Sequence, residues 1–245
     1  MKKVIIIGAS SGIGENLAKQ YAKQGCVVAI AARREDRLNE IKRAFPNNII
    51  SYKIDVSKPF KSREDGVREE VLQIFKDLGG ASLLIYCAGA GKRNHVLDLE
   101  TEHNMVDVNV SGFLEVANAV VEYACNGGEI TFATISSIAS VKGIGVSAAY
   151  SSTKMFQVRY MEALGQLAHK NGWKLKTVTI KPGFIDTEFI SGSNYPMVMS
   201  LDYAAKKIKK AIDKNKSVAI IDWRWSIVVF FWRLIPMFIW RKLKL

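Results

Sequence analysis

A doubly wound, Rossmann-type α/β domain with about seven parallel strands and helices on both faces is the fold class this sequence predicts. Three observations predict it. Seven short apolar runs rich in β-branched residues recur along the chain. Helix-length segments separate the runs, and runs that are apolar on both faces need cover on both sides. A glycine-rich turn, Gly8-Ala9-Ser10-Ser11-Gly12-Ile13-Gly14, follows the first run and opens a helical pattern at Leu17, Ala18 and Tyr21. No internal repeat, low-complexity tract or linker divides the chain, and 245 residues suit one sizeable domain rather than two.

Composition narrows the class further. With 49% hydrophobic and 24% charged residues the chain reads as globular. Cys26, Cys87 and Cys125 are odd in number and far apart, which suggests neither a disulfide framework nor a CxxC site and fits a reducing compartment. His95, His103 and His169 show no ligand spacing, so no metal is expected. Met1-Lys2-Lys3 followed by Val4 to Ile7 imitates the start of a signal peptide, but the apolar run ends at the glycine turn and reads as a first strand. The net charge of +12 raises the question of nucleic acid. Much of the excess lies in two clusters, Lys206, Lys207, Lys209, Lys210, Lys214 and Lys216, and Arg224, Arg233, Arg241, Lys242 and Lys244. The second cluster sits inside the most aromatic part of the chain, a composition suited to anionic lipid headgroups rather than to a nucleic-acid groove. No nucleic-acid partner is expected.

The elements follow in order. After the first strand, Val4 to Ile7, the glycines let the backbone turn tightly and approach a pyrophosphate held at the helix N-terminus. Gly8, Ser10, Ser11, Gly12, Ile13 and Gly14 are therefore expected to cradle a dinucleotide. The second strand, Val27 to Ala31, runs into Ala32, Arg33 and Arg34 where an acidic side chain would bond a ribose 2′-hydroxyl. Guanidinium groups suit a 2′-phosphate, so NADP(H) is expected over NAD(H). The third strand, Ile49 to Ile54, ends in Asp55-Val56. These residues either support the adenine or, through Asp55, cap the following turn.

The fourth strand, Leu83 to Cys87, leads into Ala88 and Gly89, small residues where a cofactor passes over the sheet's carboxyl edge. Cys87 reads as a packed residue, since no basic neighbour is implied. Asn109 is unfavourable in mid-helix and marks an irregularity or a polar contact. The fifth strand, Ile130 to Ile135, continues into Ser136-Ser137 at the crevice. Tyr150 and Lys154 fall on one face of a helix, one turn apart. A cation close to a phenol favours the phenolate and brings proton transfer within reach near neutrality. The sixth strand, Leu175 to Ile180, ends in Lys181-Pro182-Gly183, with Thr187 shortly after, and Val218 to Ile221 is the seventh.

The glycine turn, Asn109, Ser137, Tyr150-x-x-x-Lys154 and Pro182-Gly183 with Thr187 resemble the short-chain dehydrogenase/reductase family in order and spacing, over about residues 1–215. That resemblance implies a catalytic domain over 1–216 and residues 217–245 as the last strand and a tail. It implies that Tyr150 exchanges a proton with the carbonyl or alcohol oxygen while Ser137 holds that oxygen. Lys154 grasps the nicotinamide ribose and favours the tyrosinate, and Asn109 holds a water that completes a proton path. Pro182, Gly183, Phe184, Ile185 and Thr187 bind the carboxamide end of the cofactor. The family keeps a mobile substrate lid at Glu188 to Met199, a stretch whose composition equally suits a packed loop. Many members have Asn where Cys87 stands. The resemblance also implies dimers or tetramers through helices around residues 101–124 and 150–170.

The tail departs from a soluble member's pattern. Trp223, Trp225, Phe230, Phe231, Trp232, Phe238 and Trp240 crowd it, broken by Arg224, Arg233 and Pro236. Its uncharged stretch, Trp225 to Trp232, falls far short of the ~20 apolar residues that cross a bilayer. Tryptophans beside arginines favour the headgroup interface. The expectation is a cytoplasmic protein held peripherally on an anionic membrane and acting on a hydrophobic carbonyl or alcohol; the alternative is a catalytically idle NADP(H)-binding protein that docks on a membrane or partner. A subunit interface or a last layer of core are the alternatives for the tail.

Overall fold

A computed structural model describes residues 1–58, 66–190 and 195–243. Lys244 and residues 191–194 of the expected lid lie outside the described residues. The apolar runs form β1 (Lys3–Ile7), β2 (Val27–Ala32), β3 (Ile49–Lys53), β4 (Leu83–Tyr86), β5 (Ile130–Ile135), β6 (Leu175–Pro182) and β7 (Val218–Ile221). They pair in parallel in the order β3-β2-β1-β4-β5-β6-β7. Between them lie α1 (Gly12–Lys23), α2 (Glu35–Ala44), α3 (Val67–Leu78), α4 (Leu99–Val106), α5 (Gly112–Cys125), α6 (Ala148–Lys170) and α7 (Leu201–Asp213). After β7 come α8 (Trp223–Leu234) and the short α9 (Met237–Trp240).

Alternation along each strand divides the core in two. Val4 and Ile6 of β1 enter a cluster covered by α1, α2, α7 and α8, while Ile5 and Ile7 enter one covered by α3, α5 and α6. Both faces of the strand are buried, which is why it is continuously apolar. β6 runs two residues past its apolar run because Lys181 and Pro182 still pair with β7. Pairing with β5 has stopped at Ile180 by then, so the missing N–H of Pro182 interrupts no ladder on that side.

The strand order reverses between β1 and β4, and a crevice opens outside their carboxyl ends. The irregularity expected at Asn109 is a π-helical turn, Asp107–Ser111, joining α4 to α5. Carbonyls there accept side-chain donors: Tyr86 Oη donates to Val108 O (2.5 Å) and Gln157 Nε2 to Asn109 O (3.0 Å).

The tail has two faces. Trp225 and Val229 are buried in the core, whereas Trp223, Ile227, Phe230, Phe231 and Leu234 are exposed. Trp240 is buried in turn, its Nε1 donating to Gly143 O (2.7 Å), and Lys142 Nζ donates to Ile235 O (2.7 Å). Part of the tail is therefore a last layer of core. Among the described residues no helix is long and apolar enough to cross a membrane.

Candidate active site

A cleft of ≈ 1040 Å³ runs along the carboxyl edge of the sheet. At one end it is built of backbone. Gly8 has φ +85°, and a Cβ there would stand 2.3 Å from Ala88 N; a Cβ at Gly14 would stand 2.2 Å from Gly8 O. The turn after β1, the start of α1 and the segment after β4 thus touch main chain to main chain, leaving a smooth cradle that fits a pyrophosphate. Gly8, Ser10, Ser11, Gly12, Ile13, Gly14, Arg33, Arg34, Val56, Ala88 and Gly89 all line the cleft. Arg34 folds back onto the cradle, its Nη2 donating to Ser11 Oγ (2.7 Å) and its Nε to Ser10 Oγ (3.2 Å), with Glu188 3.6 Å from its Nη1.

Asp55 is not among the lining residues. Its Oδ1 accepts from Ser57 N (3.0 Å) and Ser57 Oγ (2.6 Å), the turn-capping alternative, and Arg33 Nε lies 3.9 Å away.

Midway along, Tyr150, Lys154 and Ser137 converge. α6 places Tyr150 in its first turn, and Lys154 begins the buried stripe that continues through Gln157, Val158, Met161, Leu164 and Ala168. Lys154 Nζ lies 5.9 Å from the Tyr150 ring centroid and donates to Ile135 O (3.0 Å) and Gln157 Oε1 (3.2 Å). Burial draws its pKa down from 10.5 to about 8, with Cys87 pulling the other way. Burial also raises Tyr150 to about 12, although a hydrogen bond from Ser137 lowers it and Tyr195 adds to the rise. The expectation that Lys154 brings the phenol towards neutrality is therefore not met by the protein's own groups. A buried phenol loses more hydration than this ammonium, shared with two other acceptors, returns. Cys87 does have a basic neighbour, since Lys154 lowers its pKa, but burial outweighs this and lifts the thiol to about 12.

Asn109 stands behind the cleft and does not line it. It is fully buried: Oδ1 accepts from Ala90 N (2.9 Å), and Nδ2 donates to Ala90 O (2.7 Å) and Thr153 Oγ1 (3.0 Å). Its side chain clamps the segment after β4 onto α6, and its carbonyl receives Gln157. These bonds use both amide hydrogens and one of the two acceptor sites of Oδ1.

The other end of the cleft is walled by side chains. The Arg93 guanidinium lies 5.0 Å over the Tyr195 ring, which stacks on Phe184 at 4.0 Å. Phe184 in turn meets Trp225 edge-on at 5.3 Å, and Phe189 packs 5.6 Å from Tyr150. Val228 and Trp232 extend the wall along α8. Gly183 admits Trp225, for a Cβ there would stand 2.1 Å from the indole nitrogen. That nitrogen is buried with no acceptor among the described residues. Pro182, Ile185 and Thr187 line the cleft beside it, and a bridge between Ile185 and Met199 pins the base of the loop they begin.

A model of the short chain dehydrogenases matches residues 2–196. The chain belongs to the short-chain dehydrogenase family. An uncharacterised oxidoreductase of Mycobacterium tuberculosis is 29% identical over 243 residues, covering 96% of this dehydrogenase and 94% of the relative. A short-chain dehydrogenase from Sphingobium yanoikuyae in complex with NADPH superposes with a TM-score of 0.78 at 20% identity, over 100% of this chain and 97% of that one. A 3-ketoacyl-(acyl-carrier-protein) reductase from Brucella melitensis complexed with NADH gives 0.76 at 21%, over 90% and 96%. At such identities the last two speak for the fold.

The dehydrogenase thus brings most of the sequence-expected residues to one cleft, leaving Asp55 at its edge and Asn109 behind it. Arg93, Trp225, Val228 and Trp232 were not singled out from the sequence as lining a site, and Phe184 only for the carboxamide end of the cofactor. They come from three stretches far apart in the chain and carry no mutual spacing; the crowding of tryptophans after β7 was the one available signal.

Proposed function

We propose that this chain is an NADP(H)-dependent oxidoreductase interconverting a ketone and a secondary alcohol on a lipophilic substrate at a membrane surface. The observation that carries the reading is the convergence of Ser137, Tyr150 and Lys154 midway between a backbone cradle and an aromatic wall. The nicotinamide, when bound, supplies or accepts the hydride. Tyr150 gives its proton to the carbonyl oxygen, and a pKa near 12 keeps it protonated and ready to donate at neutral pH. Ser137 holds the same oxygen and stabilises charge developing there. Lys154 binds the nicotinamide ribose and opposes the negative charge left on Tyr150. Pro182, Gly183, Ile185 and Thr187 hold the carboxamide end, and Arg33 and Arg34 take the 2′-phosphate at the rim of the cradle. Asn109 acts by positioning Ala90 and Thr153.

The proposed membrane contact rests on the outward face of the tail. Phe230, Phe231 and Leu234 of α8 and Met237 and Phe238 of α9 are exposed beside Arg233, Arg241 and Lys242. Large apolar side chains interleaved with cations match an anionic headgroup layer. Since the inward face is core, Phe230→Ser/Phe231→Ser/Phe238→Ser tests docking better than truncation. Full-length protein is expected to sediment with phosphatidylglycerol vesicles and the triple variant to stay in solution. Equal sedimentation of both, or a dimer that the variant breaks without any vesicle binding, overturns the membrane reading.

For the chemistry, NADPH oxidation with a panel of hydrophobic ketones is expected to fall ~10²- to 10⁴-fold in Tyr150→Phe. Equal rates would leave a cofactor-binding protein without this catalytic centre.

A further inference from the structure

The aromatic tail carries, on its inward side, a stripe that the chemistry above does not use. Trp225, Val228 and Trp232 are spaced three and four residues apart, so they fall on one face of α8, and all three line the cleft. The exposed Ile227, Phe230, Phe231 and Leu234 share the opposite side. From Trp225 to Trp232 the stripe runs about 10 Å along the helix axis, nearly two turns.

The stripe is fixed in place at both ends. Trp225 sits against Gly183 and Phe184, so the start of α8 is docked on the segment that follows β6. At the far end Trp232 meets Trp240 edge-on at 5.6 Å, and Trp240 is tied to Gly143 while Lys142 bonds the turn between α8 and α9. Gly143 and Lys142 lie a few residues past Ser137, so the tail is fastened to the loop that carries the oxygen-holding serine. A helix that only covered core would place apolar side chains against strands. This one also turns a continuous apolar stripe into the open cleft that holds Tyr150.

We propose that the inward face of α8 is the substrate-selecting wall of this enzyme, and that it selects ketones with an unbranched apolar body long enough to run along α8 from Trp225 past Val228 to Trp232. The proposal deepens the ketone-reductase reading and rests on it for the identity of the reactive group. The carbonyl end sits at Ser137 and Tyr150, and the apolar body lies along α8, with Phe189, which packs on Tyr150, also lining the cleft. The stripe contains no charged residue, and Val228, the smallest of its three side chains, leaves a gap between two tryptophans. Each added methylene buried along such a wall favours binding about fourfold, so selectivity for length follows without any polar recognition.

The test uses the full-length protein loaded with NADPH and two methyl ketones, one short and one long-chain. Equilibrium dialysis reads binding and NADPH oxidation reads turnover. Val228→Trp, which blocks the stripe, is expected to lower the long-to-short ratio of kcat/KM by ~10- to 100-fold, mostly through KM, and to weaken dialysis binding of the long ketone in step. Val228→Ala, which widens the stripe, is expected to shift preference the opposite way, towards ketones branched near the middle of the chain. NADPH affinity should stay within about twofold in both variants, which also shows that they fold. A long-to-short ratio that does not move in Val228→Trp, or long-ketone binding equal to that of the parent protein, overturns the proposal. Failure of the ketone-reductase reading looks different: Tyr150→Phe would then turn over both ketones at the parent rate, while dialysis would still report whether Val228 governs binding.

Discussion

The two ends of the cleft are made of different material. The cradle end is main chain against main chain, Gly8 against Ala88 and Gly14 against Gly8, with the Asn109 side chain bracing both backbone groups of Ala90 from behind. The wall end is side chain against side chain, with Arg93 on Tyr195, Tyr195 on Phe184 and Phe184 on Trp225. A backbone surface tolerates almost no change in residue type, because any Cβ fills it, so it leaves a spacing pattern in the sequence. A side-chain surface accepts many residues of similar volume and leaves no pattern. One end is built to hold a common cofactor, and the other is free to specialise.

Changes at the cradle end should therefore cost stability and cofactor together. The largest effect is expected for Gly8→Ala. It places a Cβ at φ +85° and 2.3 Å from Ala88 N, which should destabilise the fold by about 3–5 kcal/mol and abolish NADPH binding; urea melts alongside dinucleotide titration measure both. A variant as stable as the parent would mean that the two segments do not meet as described. Asn109→Ala should come next, at about 2–4 kcal/mol in the same melts, because it strips partners from Ala90 and Thr153 within buried surroundings. Its kcat should fall with loosening of the segment after β4, and a variant with unchanged Tm would remove Asn109 from its clamping role.

A smaller and more selective loss is expected at the rim. Arg34→Ala should weaken NADPH by about 1.5–3 kcal/mol, the range for a hydrogen bond to a charged group, and NADH far less, as read by fluorescence titration of each. A proportionate loss of both would place the 2′-phosphate elsewhere.

The last effect is a pH dependence. Lys154 has a folded pKa of about 8, below its ordinary 10.5. Between those values the unfolded chain holds a proton that the folded chain has released, so this group makes stability rise as pH increases from 8 to 10.5. Tyr150, raised to about 12, has the opposite sign and begins to weaken the fold only above its ordinary 10. The difference in stability between the parent protein and Lys154→Met should therefore change in the parent's favour from pH 8 to about pH 10. A difference that stays flat would mean that Lys154 is not held in a dry site.

How much of this could be read from the chain follows the same division. The seven-stranded parallel architecture, the cradle residues and the Tyr150-Lys154 pair were legible because each rests on local pattern or spacing. Asn109 was legible as an irregularity, since a mid-helix asparagine needs a reason and the π-helical turn supplies it. The two uses open to Asp55 could not be separated in sequence, because an Asx turn and a ligand contact ask for the same side chain. The acidity of Tyr150 was misjudged because spacing shows that two groups are near but not how dry they are, and dryness decided the sign. The wall was invisible because rings about forty residues apart in the chain, Phe184 and Trp225, meet only after α8 folds back over Gly183.

The central claim is hydride transfer within this cleft, with Tyr150 supplying the proton, and one isotope measurement addresses it. The full-length protein is incubated with NADPH deuterated at nicotinamide C4 and a long-chain methyl ketone, and the alcohol is analysed by mass spectrometry. Deuterium on the carbinol carbon, lost with the turnover in Tyr150→Phe, is the predicted result. An alcohol without label, or labelled alcohol formed as fast by Tyr150→Phe, would contradict the account.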